Sequence, residues 1–323
     1  MRTFFAFGTA LTLALVACGS DSASSSTSSS SAGGGTTGSD STSGSGSTAA
    51  TGSSGSGGAA AAAFQIQVYA ADPAVGAVNS YLVLGDKEAM VVDGQFFKAD
   101  ALKVVDLIKA SSKTLTTVFL THAHPDHYLG LKVIADAFPK AKIVATKAVV
   151  DDFNLTAQGT FMYLKGMYAD ALADGLAVPE ALAGNSLLLD GRSLDVIEMP
   201  NPGESSVAAA IALDAPSALL AGDLVYNDIH LVLSSCAWKG WLDNLTAIKA
   251  KGFQDVYPGH GAKASMAVFD ADAQYINDVV PILEAAATTD EAKMKIKAKY
   301  PAYLSDLLLG FSTDGYFMSS KGK

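Results

Sequence analysis

The chain has 323 residues, with 22 Lys and Arg against 32 Asp and Glu, a formal charge of −10. That balance argues against nucleic acid as a partner, because binding phosphates needs a basic face. Two cysteines exclude a disulfide-rich scaffold and a Cys-rich zinc module.

Arg2 precedes an apolar run from Phe4 to Ala17, the length of a signal-peptide core and too short to span a bilayer. The run ends Leu15-Val16-Ala17-Cys18, which resembles a bacterial lipobox. That resemblance implies a signal peptide over 1–17 and a lipid on Cys18 that tethers the chain to a membrane of the cell envelope, facing the periplasm or the exterior. An ordinary secretory signal with an incidental cysteine is the alternative. With Cys18 acylated, Cys236 has no cysteine left to pair with. Residues 18–63 are nearly all Ser, Gly, Thr and Ala, a composition expected to form a flexible linker rather than a core. The globular part is therefore expected over 64–323.

Short apolar runs at Phe64–Tyr69, Asn79–Leu84, Ala89–Val92, Thr117–Leu120 and Lys142–Ala145 predict strands. So do Ser193–Glu198, Val207–Leu213, Ala218–Ala221 and Asp255–Tyr257. Helical periodicity predicts helices over Lys98–Ala110, Tyr128–Phe138, Trp238–Lys251 and Met266–Ala287. The alternation fits a layered α/β domain of mixed sheets. A helical insertion is expected near 147–185. Its residues Phe153, Phe161, Met162, Tyr163, Met167 and Tyr168 either pack on the core or line a lid over a pocket.

Three of the five histidines fall in Thr121-His122-Ala123-His124-Pro125-Asp126-His127, directly after the strand ending at Leu120. Alternation near a strand end points His122 and His124 to one side. Pro125 suits the first turn of a helix, from which Asp126 and His127 project toward the same space. Three imidazoles and a carboxylate so arranged are ligands for Zn²⁺ or a similar ion.

His-x-His-x-Asp-His after a strand resembles the signature of the metallo-β-lactamase superfamily. Asn79-Ser80-Tyr81-Leu82-Val83 with Val91-Val92-Asp93-Gly94 is similar to that family's opening strands. Ala221-Gly222-Asp223 resembles its bridging-aspartate motif, and Tyr257-Pro258-Gly259-His260-Gly261 its closing histidine. The resemblance implies an αββα sandwich carrying one or two metal ions, zinc first and manganese or iron as alternatives. His122, His124, Asp126, His127, Asp223 and His260 would be the ligands, with Asp126 also orienting the nucleophile or shuttling its proton. Asp93 is expected either to brace the ligand loop through hydrogen bonds or to serve only as a turn residue before Gly94.

One position departs from the family pattern. Where a Pro-Gly-His segment is usual, the chain reads Pro202-Gly203-Glu204. Glutamate ligates zinc through oxygen, so Glu204 is a candidate ligand favouring harder ions. The alternative is a weak or empty first metal site.

The resemblance implies a metal-dependent hydrolase of a small-molecule acyl substrate. Tyr226 lies three residues after Asp223, an offset at which acyl-homoserine lactonases of the family carry a tyrosine that contacts substrate. Lactone or ester cleavage therefore ranks above true β-lactamase activity; core packing is the other role open to Tyr226. A degenerate protein that binds one metal or a small ligand without turnover is the competing class. His230 is expected either to be structural or to serve as a pocket group or a replacement for the missing ligand, and the oligomeric state stays open.

Overall fold

In the computed structural model, which describes residues 63–321, the first half of the chain builds one sheet and the helices on its outer face. The expected signal segment and nearly all of the expected linker lie outside the described residues. β1 (Gln65–Ala70), β2 (Asn79–Leu84), β3 (Glu88–Val92), β4 (Thr114–Phe119), β5 (Lys142–Ala145) and β6 (Glu180–Ala181) are hydrogen-bonded in that order. The first three are antiparallel; β3 to β6 run parallel. The connections form α1 (Lys98–Ser111), α2 (Pro125–Tyr128), α3 (Leu131–Ala137) and α4 (Lys147–Tyr168).

The second half builds the partner layers. β7 (Ser186–Leu189), β8 (Arg192–Glu198), β9 (Ala209–Asp214), β10 (Ser217–Asn227) and β11 (Asp255–Gly261) form a sheet in the order β11-β10-β9-β8-β7. Only the β10–β11 pair is parallel. α5 (Trp238–Lys249), α6 (Ala267–Ala285), α7 (Thr289–Lys299) and α8 (Asp306–Lys321) complete the chain.

Alternation along the strands makes the layers. In β2, Tyr81 and Val83 join the core between the sheets, where they meet Leu194, Val196, Ile211 and Leu220. Leu82 and Leu84 point the other way, onto α1. Both faces are covered, so these strands read as nearly continuous apolar runs. A third core, with Trp241, Phe269 and Ile276, lies between the second sheet and its helices. The result is the expected αββα sandwich of two mixed sheets. Among the described residues, no helix is long and apolar enough to cross a membrane.

Several expectations are corrected. The helix expected over Tyr128–Phe138 is broken into α2 and α3 around Gly130, whose N–H donates to Gln95 O. A Cβ at Gly130 would collide with the carbonyl of Gly94, so only glycine allows the loop after β3 to close on this segment. β7 was not expected, although Asp190-Gly191, both at positive φ, is the turn chemistry of a hairpin into β8. Nor were α7 and α8 expected. α7 opens with a capping box: Thr288 Oγ1 accepts from Glu291 N–H, and Glu291 Oε2 accepts from Ala287 N–H.

The helical insertion expected near 147–185 is one long helix, α4, over Lys147–Tyr168, followed by a short 3-10 turn and β6. Phe153 packs against Tyr128 of α2 and Tyr168 against Phe96 and Phe97, while Met162 and Met167 face solvent. The pairing expected of Cys236 turns on Cys18, which lies outside the described residues.

Candidate metal centre

The candidate ligands reach one edge of the sandwich from four chain segments. β4 delivers the 121–127 segment, the loop before β9 delivers Glu204, and the ends of β10 and β11 deliver Asp223 and His260. The last two residues sit on the strands themselves, because β10 and β11 run on past the expected ends with irregular register, pairing Tyr226 with His260. Asn79 Nδ2 ties this end of β11 to β2 by donating to the carbonyls of Pro258 (2.9 Å) and Gly261 (2.7 Å).

Two groups of side chains could each hold a metal ion: His122, His124, Glu204 and Asp223, and Asp126, His127 and His260. In each group one ligand atom per residue lies within 4.8 Å of all the others. Asp223 spans the two, with Oδ1 3.2 Å from His127 Nε2 and Oδ2 3.2 Å from His260 Nε2 and 3.8 Å from His122 Nε2. Asp126, the most exposed of the set, places Oδ2 3.3 Å from His260 Nε2.

The hydrogen bonds behind these rings set their tautomers. Thr121 Oγ1 donates to Asp93 Oδ2 and therefore accepts from His122 Nδ1 at 3.0 Å. His127 Nδ1 donates to Asp93 Oδ2 at 2.8 Å, and His260 Nδ1 to the carbonyl of Gly76 at 2.6 Å. Each of the three rings thus turns the lone pair of Nε2 toward the shared space, the arrangement that metal-binding histidines need. The buried atoms His122 Nε2, His127 Nε2, Glu204 Oε2 and Asp223 Oδ1 have no hydrogen-bond partner. Unpartnered polar atoms converging at one buried point are costly without a cation between them, so the residues present fit a metal ion.

The electrostatics agree. Burial and the neighbouring imidazoles hold His122 well below the usual histidine range. Burial also opposes charge on His124 and His260, but Glu204 raises the first to about 9, and Asp223 and Asp126 raise the second to about 10. His127 is raised well above its usual value against burial by Asp223 and Asp126. Burial raises Glu204, whereas Asp223 and Asp126 fall below the carboxylate range because the histidines outweigh burial. The carboxylates thus favour positive charge at His124, His127 and His260, a charge that a divalent cation held between them would supply instead.

Tyr226, expected to reach a substrate carbonyl, is 1 % exposed. Its hydroxyl donates to Asp223 Oδ2 at 2.6 Å, and its ring stacks on His260 with centroids 4.8 Å apart. Asp93 touches both Thr121 and His127, more than a turn residue would. His230 lies outside the centre, bonded through Nδ1 to Tyr275 Oη at 2.8 Å. Thr121 and the Gly76 carbonyl were not among the expected site groups; an oriented hydroxyl next to His122 was the legible signal, and a backbone acceptor carries none.

A family model described as the metallo-beta-lactamase superfamily matches residues 73–260. The chain belongs to that superfamily. Among curated relatives of this superfamily member, the uncharacterized protein YobT of Bacillus subtilis is 26 % identical over 152 residues, 47 % of this chain and 63 % of that protein. A hydroxyacylglutathione hydrolase of Vibrio parahaemolyticus is 38 % identical over 63 residues, 20 % of this chain and 23 % of that enzyme. The chain thus spans less than two thirds of either relative. Among solved structures, a metallo-beta-lactamase family protein of Thermus thermophilus superposes with a TM-score of 0.56 at 18 % identity, covering 80 % of this chain and 94 % of that one. A metallo-beta-lactamase of Pontibacter korlensis gives 0.51 at 15 % identity, covering 67 % and 95 %. At such identities these likenesses establish the fold alone.

Proposed function

We propose that this protein is a metal-dependent hydrolase that cleaves a lactone, ester or related acyl substrate. The observation that carries the reading is the convergence of His122, His124, Asp126, His127, Glu204, Asp223 and His260, with buried unpartnered atoms on His122, His127, Glu204 and Asp223. A divalent cation held there supplies a water acidified toward neutral pH and a Lewis acid for a carbonyl oxygen. His122, His124 and Glu204 hold one side of the centre, His127 and His260 the other, and Asp223 spans both. Asp126, partly open to solvent, is placed to take the proton of an attacking water. Zinc suits the imidazoles; the oxygen of Glu204 favours manganese or iron more than a fourth imidazole would.

The lipobox-like segment supports export to the cell envelope. Mass spectrometry of the mature N-terminus reads whether Cys18 carries a lipid.

The test is metal analysis of the mature protein together with hydrolysis of lactones, esters, thioesters and a chromogenic β-lactam. The proposal expects two equivalents of metal and turnover of lactones or esters, with both lost in Asp223→Ala. Full activity in that variant overturns the site. Glu204 in place of histidine favours a second reading, a protein that binds one metal without turnover; one equivalent and no hydrolysis across the panel would establish it.

A further inference from the structure

Behind the candidate centre, α6 carries a carboxyl group that the hydrolytic reading does not use. Asp272 is 1 % exposed on the face of α6 that packs onto β10. Its Oδ2 accepts the backbone N–H of Tyr226 at 2.8 Å, and its Oδ1 has no partner. Few forces favour such a group inside an apolar layer, since burying a carboxyl with half of its capacity unmet is costly.

What distinguishes the position is the residue it holds. Tyr226 follows the point where β10 departs from regular pairing with β11, between Gly222 and Tyr226. A strand that loses its regular ladder has amide groups to satisfy elsewhere. Asp272 takes the amide of Tyr226, and the side chain of the same tyrosine donates to Asp223 and stacks on His260. One buried carboxyl is therefore two contacts away from the aspartate that spans both metal-binding groups. Burial pushes Asp272 well above the usual carboxylate range, so a neutral acceptor suits the site.

We propose that Asp272 is a positioning residue, which fixes Tyr226 through its amide and thereby sets the carboxylate of Asp223 and the ring of His260 for the metal. The inference rests on the metal-centre reading above but not on any particular substrate. Asp272 lies beyond the segment matched by the family model, which ends at residue 260. The C-terminal helices thus do more than cover the sheet.

The test uses the full-length protein, stripped of metal with a chelator and titrated with Co²⁺ while its visible absorption is followed. Loss of such an outer support typically weakens metal affinity by about 10–100-fold. Asp272→Leu is expected to weaken Co²⁺ binding by that factor and to alter the absorption bands. Asp272→Asn keeps an oxygen for the Tyr226 amide and should restore affinity to within about threefold of wild type. Tyr226→Phe cuts the same connection at its other end with Asp272 intact, and should weaken binding comparably even if Asp272→Leu does not fold. Combining Tyr226→Phe with Asp272→Leu should add little, because both act through one path.

Val279→Ala, elsewhere on α6, serves as the control: it should lower Tm and leave Co²⁺ affinity unchanged. Wild-type affinity and spectrum in folded Asp272→Leu or in Tyr226→Phe overturn the proposal. So does an equal loss of affinity in Val279→Ala, which would make the effect one of general stability. A wild-type protein that binds no Co²⁺ overturns the metal centre and this inference together. Binding without hydrolysis overturns the hydrolase reading and leaves the role of Asp272 standing.

Discussion

Glu204 Oε1 lies 2.9 Å from Nδ1 of His124. The carboxylate thus occupies the corner of the centre where the family pattern has an imidazole. Glu204→Ala is expected to remove one equivalent of bound metal and to reduce kcat/KM by more than the roughly 10–100-fold typical of outer-shell losses. Glu204→His should retain the metal and shift preference from manganese toward zinc, since nitrogen replaces oxygen. Metal analysis after exposure to equal zinc and manganese reads both outcomes; an unchanged stoichiometry in Glu204→Ala would remove Glu204 from the ligand set.

Gly259 faces Asp223 so closely that an added Cβ would strike the carboxylate oxygen Oδ1. Gly259→Ala must displace that side chain or the β11 backbone. Metal affinity should fall by about 10–100-fold, the scale at which misdirected ligands are felt. The measurement is a competition titration with a chromophoric chelator, and wild-type affinity in the alanine variant would contradict the crowding.

Metal removal should lower stability. Binding at 100 times Kd stabilises the native state by about 2.7 kcal/mol. For a domain of this size that corresponds to a Tm shift of about 5–10 °C. Calorimetry with and without a chelator measures it, and Asp223→Ala should show no such shift.

His230 is buried without charge, its pKa lowered by burial to about 4 from 6.5. Between those values the unfolded chain binds a proton that the native state refuses, so stability falls as pH drops from about 6.5 toward 4. Other groups titrate in the same window, so the informative quantity is a difference. The Tm advantage of wild type over His230→Gln should narrow from pH 7 to pH 4.5; parallel curves would show that His230 titrates normally.

The layered α/β class was legible because its strands are short apolar runs buried on two faces, Tyr81 and Val83 on one and Leu82 and Leu84 on the other, while the αββα sandwich was implied by the family resemblance. The His122 to His127 motif was legible because a strand end and a proline-started turn make local geometry from local sequence. α7 hid behind a polar composition, with only Thr288 and Glu291 to mark its start. The extension of β10 and β11 was hidden as well, since it depends on pairing between residues about 35 positions apart, such as Tyr226 and His260.

By itself, then, the sequence determined the α/β class and the local cluster of metal-binding residue types from His122 to His127, because both follow from residue type and short-range spacing. Glu204, Asp223 and His260 were implied by the family resemblance. Tertiary structure alone decided how those side chains are aimed. Asp93, Thr121 and the Gly76 carbonyl choose the nitrogen each ring presents. Tyr226 is turned away from solvent onto Asp223, and Asp272 reaches it from a helix 46 residues further along the chain. Hydrogen bonds across such separations exist only after the layers have packed, when each buried donor must find an acceptor that sequence neighbours do not supply.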